Sequence, residues 1–116
     1  MRDFKKLRVW QYGIELTVKI YQLTEELPKE EKYGLISQIT RAAASILANI
    51  AEGSSRNSEK DFRRFLGISL GSSFELETFL VILTELEMAP KKQLEELIKL
   101  NTDQQRMLSG HIKKLS

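Results

Sequence analysis

Apolar residues recur at steps of three and four through four stretches of the chain, and Pro28, the GSSRN segment at 53–57 and Pro90 interrupt the pattern. Those steps mark one face of a 3.6-residue helix. The pattern therefore predicts helices over about 4–26, 30–53, 58–88 and 91–114. Gly53 stands where a glycine ends a helix, and Ser58 with Asp61 three residues on is a capping-box variant that opens the next. Short connections force antiparallel neighbours, so the expected fold is all-α: an antiparallel up-down-up-down four-helix bundle spanning 1–116 as a single domain.

The first helix carries two apolar stripes. Leu7, Trp10, Ile14, Val18 and Tyr21 form one, and Val9, Tyr12, Leu16, Ile20, Leu23 and Leu27 form the other. At ~100° per residue they lie on roughly opposite sides, and one bundle core cannot take both. The second stripe then requires a partner, most simply another copy of the chain. The alternative is that Tyr12 and Leu16 pad the margin of one broad core stripe. In the third helix Gly67 and Gly71 interrupt a strong helical pattern. Each interior glycine costs about 1 kcal/mol relative to alanine, so the pair predicts the close approach of a neighbouring helix.

Beside the apolar stripe of the second helix runs a polar one: Gln38, Arg41, Ser45, Asn49 and Glu52. An ordinary surface face is rich in Lys and Glu. This mixture of one arginine, two amides, a serine and a carboxylate can satisfy its own hydrogen bonds away from water. It reads as a buried or half-buried seam against another helix or subunit, with Gly71, Ser72 and Glu75 of the third helix as its counterpart. Arg41 and Glu52 are about 16 Å apart along one helix and cannot pair with each other in the same chain.

These residues also carry a family likeness. From Phe4 to about Leu86, the chain resembles the bacterial four-helix-bundle proteins encoded in intervening sequences of 23S rRNA genes, and the related accessory variability proteins of diversity-generating retroelements. The likeness rests on Leu7, Trp10 and Gln11; on Pro28, Tyr33, Gly34 and Leu35; on Gln38, Arg41, Ser45, Asn49, Ile50, Ala51, Glu52 and Gly53; and on Phe62, Phe65, Leu66, Gly71, Ser72 and Glu75. The resemblance implies a ring-shaped homopentamer, and its retroelement branch implies contact with nucleic acid or a nucleic-acid enzyme. The retroelement branch is far more basic than this chain, which argues against a reverse-transcriptase partner.

Composition narrows the chemistry. A chain of 116 residues, 41% hydrophobic, is enough for one core and too little for two. The absence of cysteine excludes disulfides and thiolate metal sites. No run approaches the roughly 18 consecutive apolar residues of a membrane span, so the expected setting is the cytoplasm without membrane attachment. The sole histidine, His111, excludes the paired Glu-x-x-His motifs of di-iron bundles. No spacing brings a base to Ser45, Ser69, Ser72 or Ser73. The expectation is a non-enzymatic protein with no catalytic residue, metal or cofactor.

Net charge is only +2, too weak by itself to mark a nucleic-acid binder. The up-down topology, however, gathers the chain start, the second connection and the chain end at one pole. There Arg2, Lys5, Lys6, Arg8, Arg56, Lys60, Arg63, Arg64, Lys113 and Lys114 meet Asp3, Glu52, Glu59 and Asp61. Ten cations against four anions leave +6 at this pole and, within a total of +2, −4 elsewhere. Such polarity orients a polyanion toward one end. The expected role is an oligomeric scaffold or binding module with weak binding of RNA or DNA through Lys5, Lys6, Arg8, Arg56, Arg63 and Arg64. A protein–protein adaptor with no nucleic-acid role is the alternative.

Overall fold

In the computed structural model, which describes residues 2–115, the four helices are α1 (Arg8–Glu25), α2 (Ser37–Ser54), α3 (Glu59–Glu85) and α4 (Lys91–Lys114). No strand occurs among the described residues. Helices consecutive in sequence pack against one another and α1 closes against α4, the adjacency of an up-down-up-down bundle measuring 43 × 23 × 19 Å.

The helix starts depart from the apolar periodicity where local chemistry intervenes. A short 3₁₀ turn, Phe4–Lys6, precedes α1, with the Asp3 carboxylate accepting from the Lys5 amide at 3.1 Å; extended Leu7 then separates it from the helix. A 3₁₀ turn (Lys29–Glu31) and a π-type turn (Lys32–Ile36) occupy the expected start of α2, which becomes regular only at Ser37. Ser58 caps α3 as its spacing predicts, its hydroxyl accepting from the Asp61 amide at 3.1 Å. The α3 terminus is a Schellman motif with Met88 N–H donating to Leu83 C=O at 3.0 Å. Its left-handed position is filled by Glu87 (φ 53°) rather than glycine, and Pro90 follows to prevent the helix resuming.

The core decides between the two stripes of α1. Val9, Leu16, Ile20, Leu23 and Leu27 are buried against Ile39, Ala43, Ile46 and Ile50 of α2, Phe62, Leu66, Leu76, Leu80 and Leu83 of α3, and Leu94, Leu97 and Leu108 of α4. Leu16 is thus central to the core, and the marginal reading of that position is wrong. Of the opposed stripe, Leu7 and Trp10 are half-buried against the core, while Ile14, Val18 and Tyr21 are exposed by 38%, 50% and 48%. Among the described residues α3 is the one helix long and apolar enough, at a mean hydropathy of 1.5, to span a membrane; its inward residues pack in the bundle core, while Ile68, Phe74 and Val81 are exposed.

Two expectations about glycine are corrected. Nothing lies within 4 Å of a side chain built at Gly67 or Gly71, which face outward, so no neighbouring helix within the protomer explains them. Gly53 does not end α2; it sits inside the helix without a left-handed backbone. A methyl group there would fall 2.6 Å from Phe65 Cβ, so this is where α2 and α3 need a missing side chain. Gly13 serves α1 and α2 in the same way, 2.7 Å from Leu47 Cδ2.

Candidate functional site

The bundle brings its chain start, the α2–α3 connection and the end of α4 to one pole. The Arg2 guanidinium donates to the Arg56 carbonyl at 3.0 Å and lies 4.3 Å from the Phe62 ring centroid. Phe62 receives the His111 ring edge-on at 5.4 Å. The Arg56 and Arg64 guanidiniums lie 4.7 and 4.5 Å from the centroid of Phe65, another buried ring. Phe62 and Phe65 thus fill the end of the core and present their π-systems to arginines. These contacts orient cations that would otherwise sample many rotamers, reducing the entropy lost when an anion is engaged.

Three shallow clefts surround the pole. Arg2, Ser55, Arg56 and Asn57 line the first. Lys60, Asp61, Arg63 and Arg64 line the second with Gly67 and Ile112. The third, between α1 and α4, measures about 400 Å³ and is lined by Arg8, Val9, Arg106, Met107, Gly110, His111 and Lys114. Of the cations expected here, Arg8, Arg56, Arg63 and Arg64 line clefts, while Lys5 and Lys6 are exposed on the leading 3₁₀ turn. Arg56 is partly neutralised by Glu52 at 3.4 Å, an exposed i,i+4 pair of small energetic weight. Burial, with Lys114 and Arg2 nearby, lowers the His111 pKa below 6.5.

The polar stripe of α2 is not a buried network. Ser45 and Ser72 meet with their hydroxyl oxygens 2.9 Å apart, and the Asn49 amide donates to both the carbonyl and the hydroxyl of Ser45 at 2.9 and 3.0 Å. These three are half-buried in the outer α2–α3 groove. Gln38, Arg41, Glu52, Gly71 and Glu75 are all exposed. The reason is positional: the groove between two antiparallel helices covers the flank of α2 nearest α3, and no further element of the protomer lies over it.

The buried polar groups lie elsewhere. Ser73 Oγ donates to Asn101 Oδ1 at 2.6 Å, and Asn101 Nδ2 returns a bond to the Ser73 carbonyl at 2.9 Å, locking α3 to α4. Gln104 Nε2 donates to the Val9 carbonyl at 2.9 Å, tying α4 to α1; its Oε1 is the one buried side-chain acceptor among the described residues without a partner. The sequence carried this signal. Asn101 and Gln104 continue the stripe of Leu94, Leu97 and Leu108, so they had to face the core. Arg106 and His111 were likewise absent from the expected cationic set.

No group of three or more His, Asp or Glu side chains among the described residues has the arrangement of a metal site. Fold and pole together define an all-α antiparallel bundle with an exposed apolar stripe and one cationic end. The family model described as 23S rRNA-intervening sequence protein matches residues 5–110, and the chain belongs to that family. It is also similar to a solved structure from Bacteroides thetaiotaomicron, a protein with unknown function from the S23 ribosomal protein family. That similarity has a TM-score of 0.84 and 32% identity, covering 90% of this chain and 98% of that one. No curated protein matches the chain.

Proposed function

We propose that this chain is a non-catalytic, self-associating bundle of the cytoplasm that presents its basic pole to the phosphate backbone of RNA or DNA. The observation that carries this reading is the gathering of Arg2, Arg8, Arg56, Arg63, Arg64, Arg106 and Lys114 into clefts around a single pole. Phosphate contacts need dense positive charge held in place and no particular base-reading geometry. Phe62 and Phe65 are buried beneath arginines, so backbone contact dominates over stacking.

Self-association rests on the exposed stripe of Ile14, Val18 and Tyr21. The family likeness favours a ring of five, in which the pole would be repeated and its field multiplied. The likeness to the retroelement accessory proteins points to the same class of ligand. The non-catalytic part of the reading rests on chemistry: His111 is packed on a phenyl ring and makes no hydrogen bond to a carboxylate or hydroxyl among the described residues.

The test is a binding titration of a single-stranded oligoribonucleotide at two salt concentrations. Neutralisation of about four phosphates gives a slope near −3 in log K against log [salt], roughly fifty-fold between 50 and 200 mM. The double variant Arg63→Glu/Arg64→Glu, at two exposed positions, should weaken binding and leave the fold intact. Absence of binding at low salt, or binding indifferent to salt and to charge reversal, rejects the nucleic-acid reading. The alternative is then a protein–protein adaptor, which the exposure of Phe74 (53%) and Val81 (45%) on α3 favours.

A further inference from the structure

The α1–α4 cleft is the one of the three that combines an apolar floor with cations and no carboxylate, the cleft beside Ile112 carrying Asp61 and the cleft of Arg2 and Arg56 having no apolar residue. Val9 and Met107 supply apolar surface beneath Arg8, Arg106, His111 and Lys114, and no carboxylate lines the cleft. Arg106 reaches Asp103 only at 3.9 Å from a largely exposed position, a contact too long and too wet to hold the guanidinium. Gly110 is the second anomaly. It lies inside α4, where a glycine costs about 1 kcal/mol relative to alanine, and nothing comes within 4 Å of a side chain built on it. Packing therefore does not require this glycine. Its effect is to keep the cleft open.

We propose that this cleft seats one nucleotide unit of a single-stranded polynucleotide, with its phosphodiester on Arg8, Arg106 and Lys114 and its sugar and base against Val9, Met107 and the bare backbone at Gly110. The proposal deepens the nucleic-acid reading above and rests on it. A volume of about 400 Å³ suits a unit of this size. The apolar floor selects for an unpaired base, because a duplex keeps its bases stacked and offers only phosphates. Guanidinium groups suit the anionic oxygens because they donate in a planar fork.

His111 gives the site a distinctive signature. The charged groups around it are Arg2 from the N-terminal segment, Arg8 from α1, and Arg106 and Lys114 from α4, while α3 presents the Phe62 ring. In this cationic setting the imidazole is neutral near pH 7. A bound phosphodiester places a negative charge beside the ring and favours its protonated form, so binding takes up a proton. The ligand's own charge is constant over this range, since a phosphodiester does not titrate near neutrality.

The experiment measures anisotropy of a labelled oligouridylate of about ten nucleotides with the full chain at low salt, between about pH 7.5 and 5.5. Gly110→Leu fills the cleft without altering charge and should weaken binding about tenfold, whereas Gly110→Ala should bind within about twofold of wild type. Wild-type affinity should rise toward acid, with His111→Gln largely removing that rise. A duplex of matched length should be indifferent to Gly110→Leu. Should Gly110→Leu not fold, Arg106→Gln at its exposed position takes its place, with weakening expected for the single strand. Salt-sensitive wild-type binding with the same affinity in the cleft variants and the same pH slope in His111→Gln overturns the cleft assignment alone and leaves the basic pole standing. No binding of single strand or duplex by the wild type overturns both.

Discussion

Ser45 and Ser72 join α2 to α3 through hydroxyl oxygens 2.9 Å apart, and Asn49 braces Ser45 from one turn further along α2. Energy in the polar stripe is therefore concentrated at its half-buried centre. Ser72→Ala should cost about 1 kcal/mol, the net worth of one such bond. Arg41→Ala and Glu52→Ala, at exposed positions, should each stay within about 0.5 kcal/mol in dilute protein. Urea midpoints measure all three. A loss above about 2 kcal/mol for Arg41→Ala would show that the stripe is covered by something outside the protomer.

Gly53 and Gly71 should respond in opposite directions to the same substitution. The methyl of Gly53→Ala would meet Phe65 Cβ at 2.6 Å and Phe62 Cδ1 at 3.1 Å, and both neighbours are fixed in the core. Separating α2 from α3 to admit it should cost about 1–3 kcal/mol. Gly71→Ala meets nothing and should gain about 1 kcal/mol from helix propensity. Thermal and urea unfolding of the two variants in parallel checks the sign of each.

Periodicity shows which residues share a helix face, and topology shows which ends meet. Neither alone shows what covers a face. The two stripes of α1 and the polar pole were legible for the first two reasons. The stripe from Gln38 to Glu52 was legible as a face, and Ser45 and Asn49 are half-buried as read, but the exposure of Gln38, Arg41 and Glu52 in the protomer was not legible, because an amide-rich, lysine-poor composition does not reveal whether another helix lies over it. Asn101 and Gln104 show the converse: their place among Leu94, Leu97 and Leu108 overrode their polarity. Arg106 escaped notice because it lies eight residues, about 12 Å, before the end of α4. Its long side chain and the α1–α4 groove bring it to the cleft. The irregular start of α2, between Pro28 and Ser37, left no mark on the apolar pattern, which continues through Leu35 and Ile36.

Val18→Glu tests assembly without touching the core. The residue is 50% exposed at the centre of the outer stripe of α1, so a carboxylate there should leave the fold intact and disrupt any contact between copies. Light scattering coupled to size exclusion should give a multiple of 13.4 kDa for the wild type and a mass near 13.4 kDa for the variant. A wild-type protein that remains monomeric at high micromolar concentration would remove the case for self-association.

His111 predicts a specific dependence of stability on pH. Its folded-state pKa lies below the 6.5 of the free side chain, first because burial penalises the imidazolium and then because Lys114 and Arg2 repel it. The unfolded chain therefore binds the proton more readily. Where the unfolded state carries more protons, stability rises with pH, so this contribution is fully present above about pH 6.5 and is lost as pH falls toward the folded-state value. Below that value both states are protonated and the dependence from this residue levels off. His111→Gln cannot titrate, so its stability lacks this pH dependence and the difference between wild type and variant should shrink toward acid. Urea midpoints taken at intervals between about pH 7.5 and 5.5, above most carboxylate titration, resolve it. Parallel profiles for the two proteins would show that the ring against Phe62 is as free to charge as one in water.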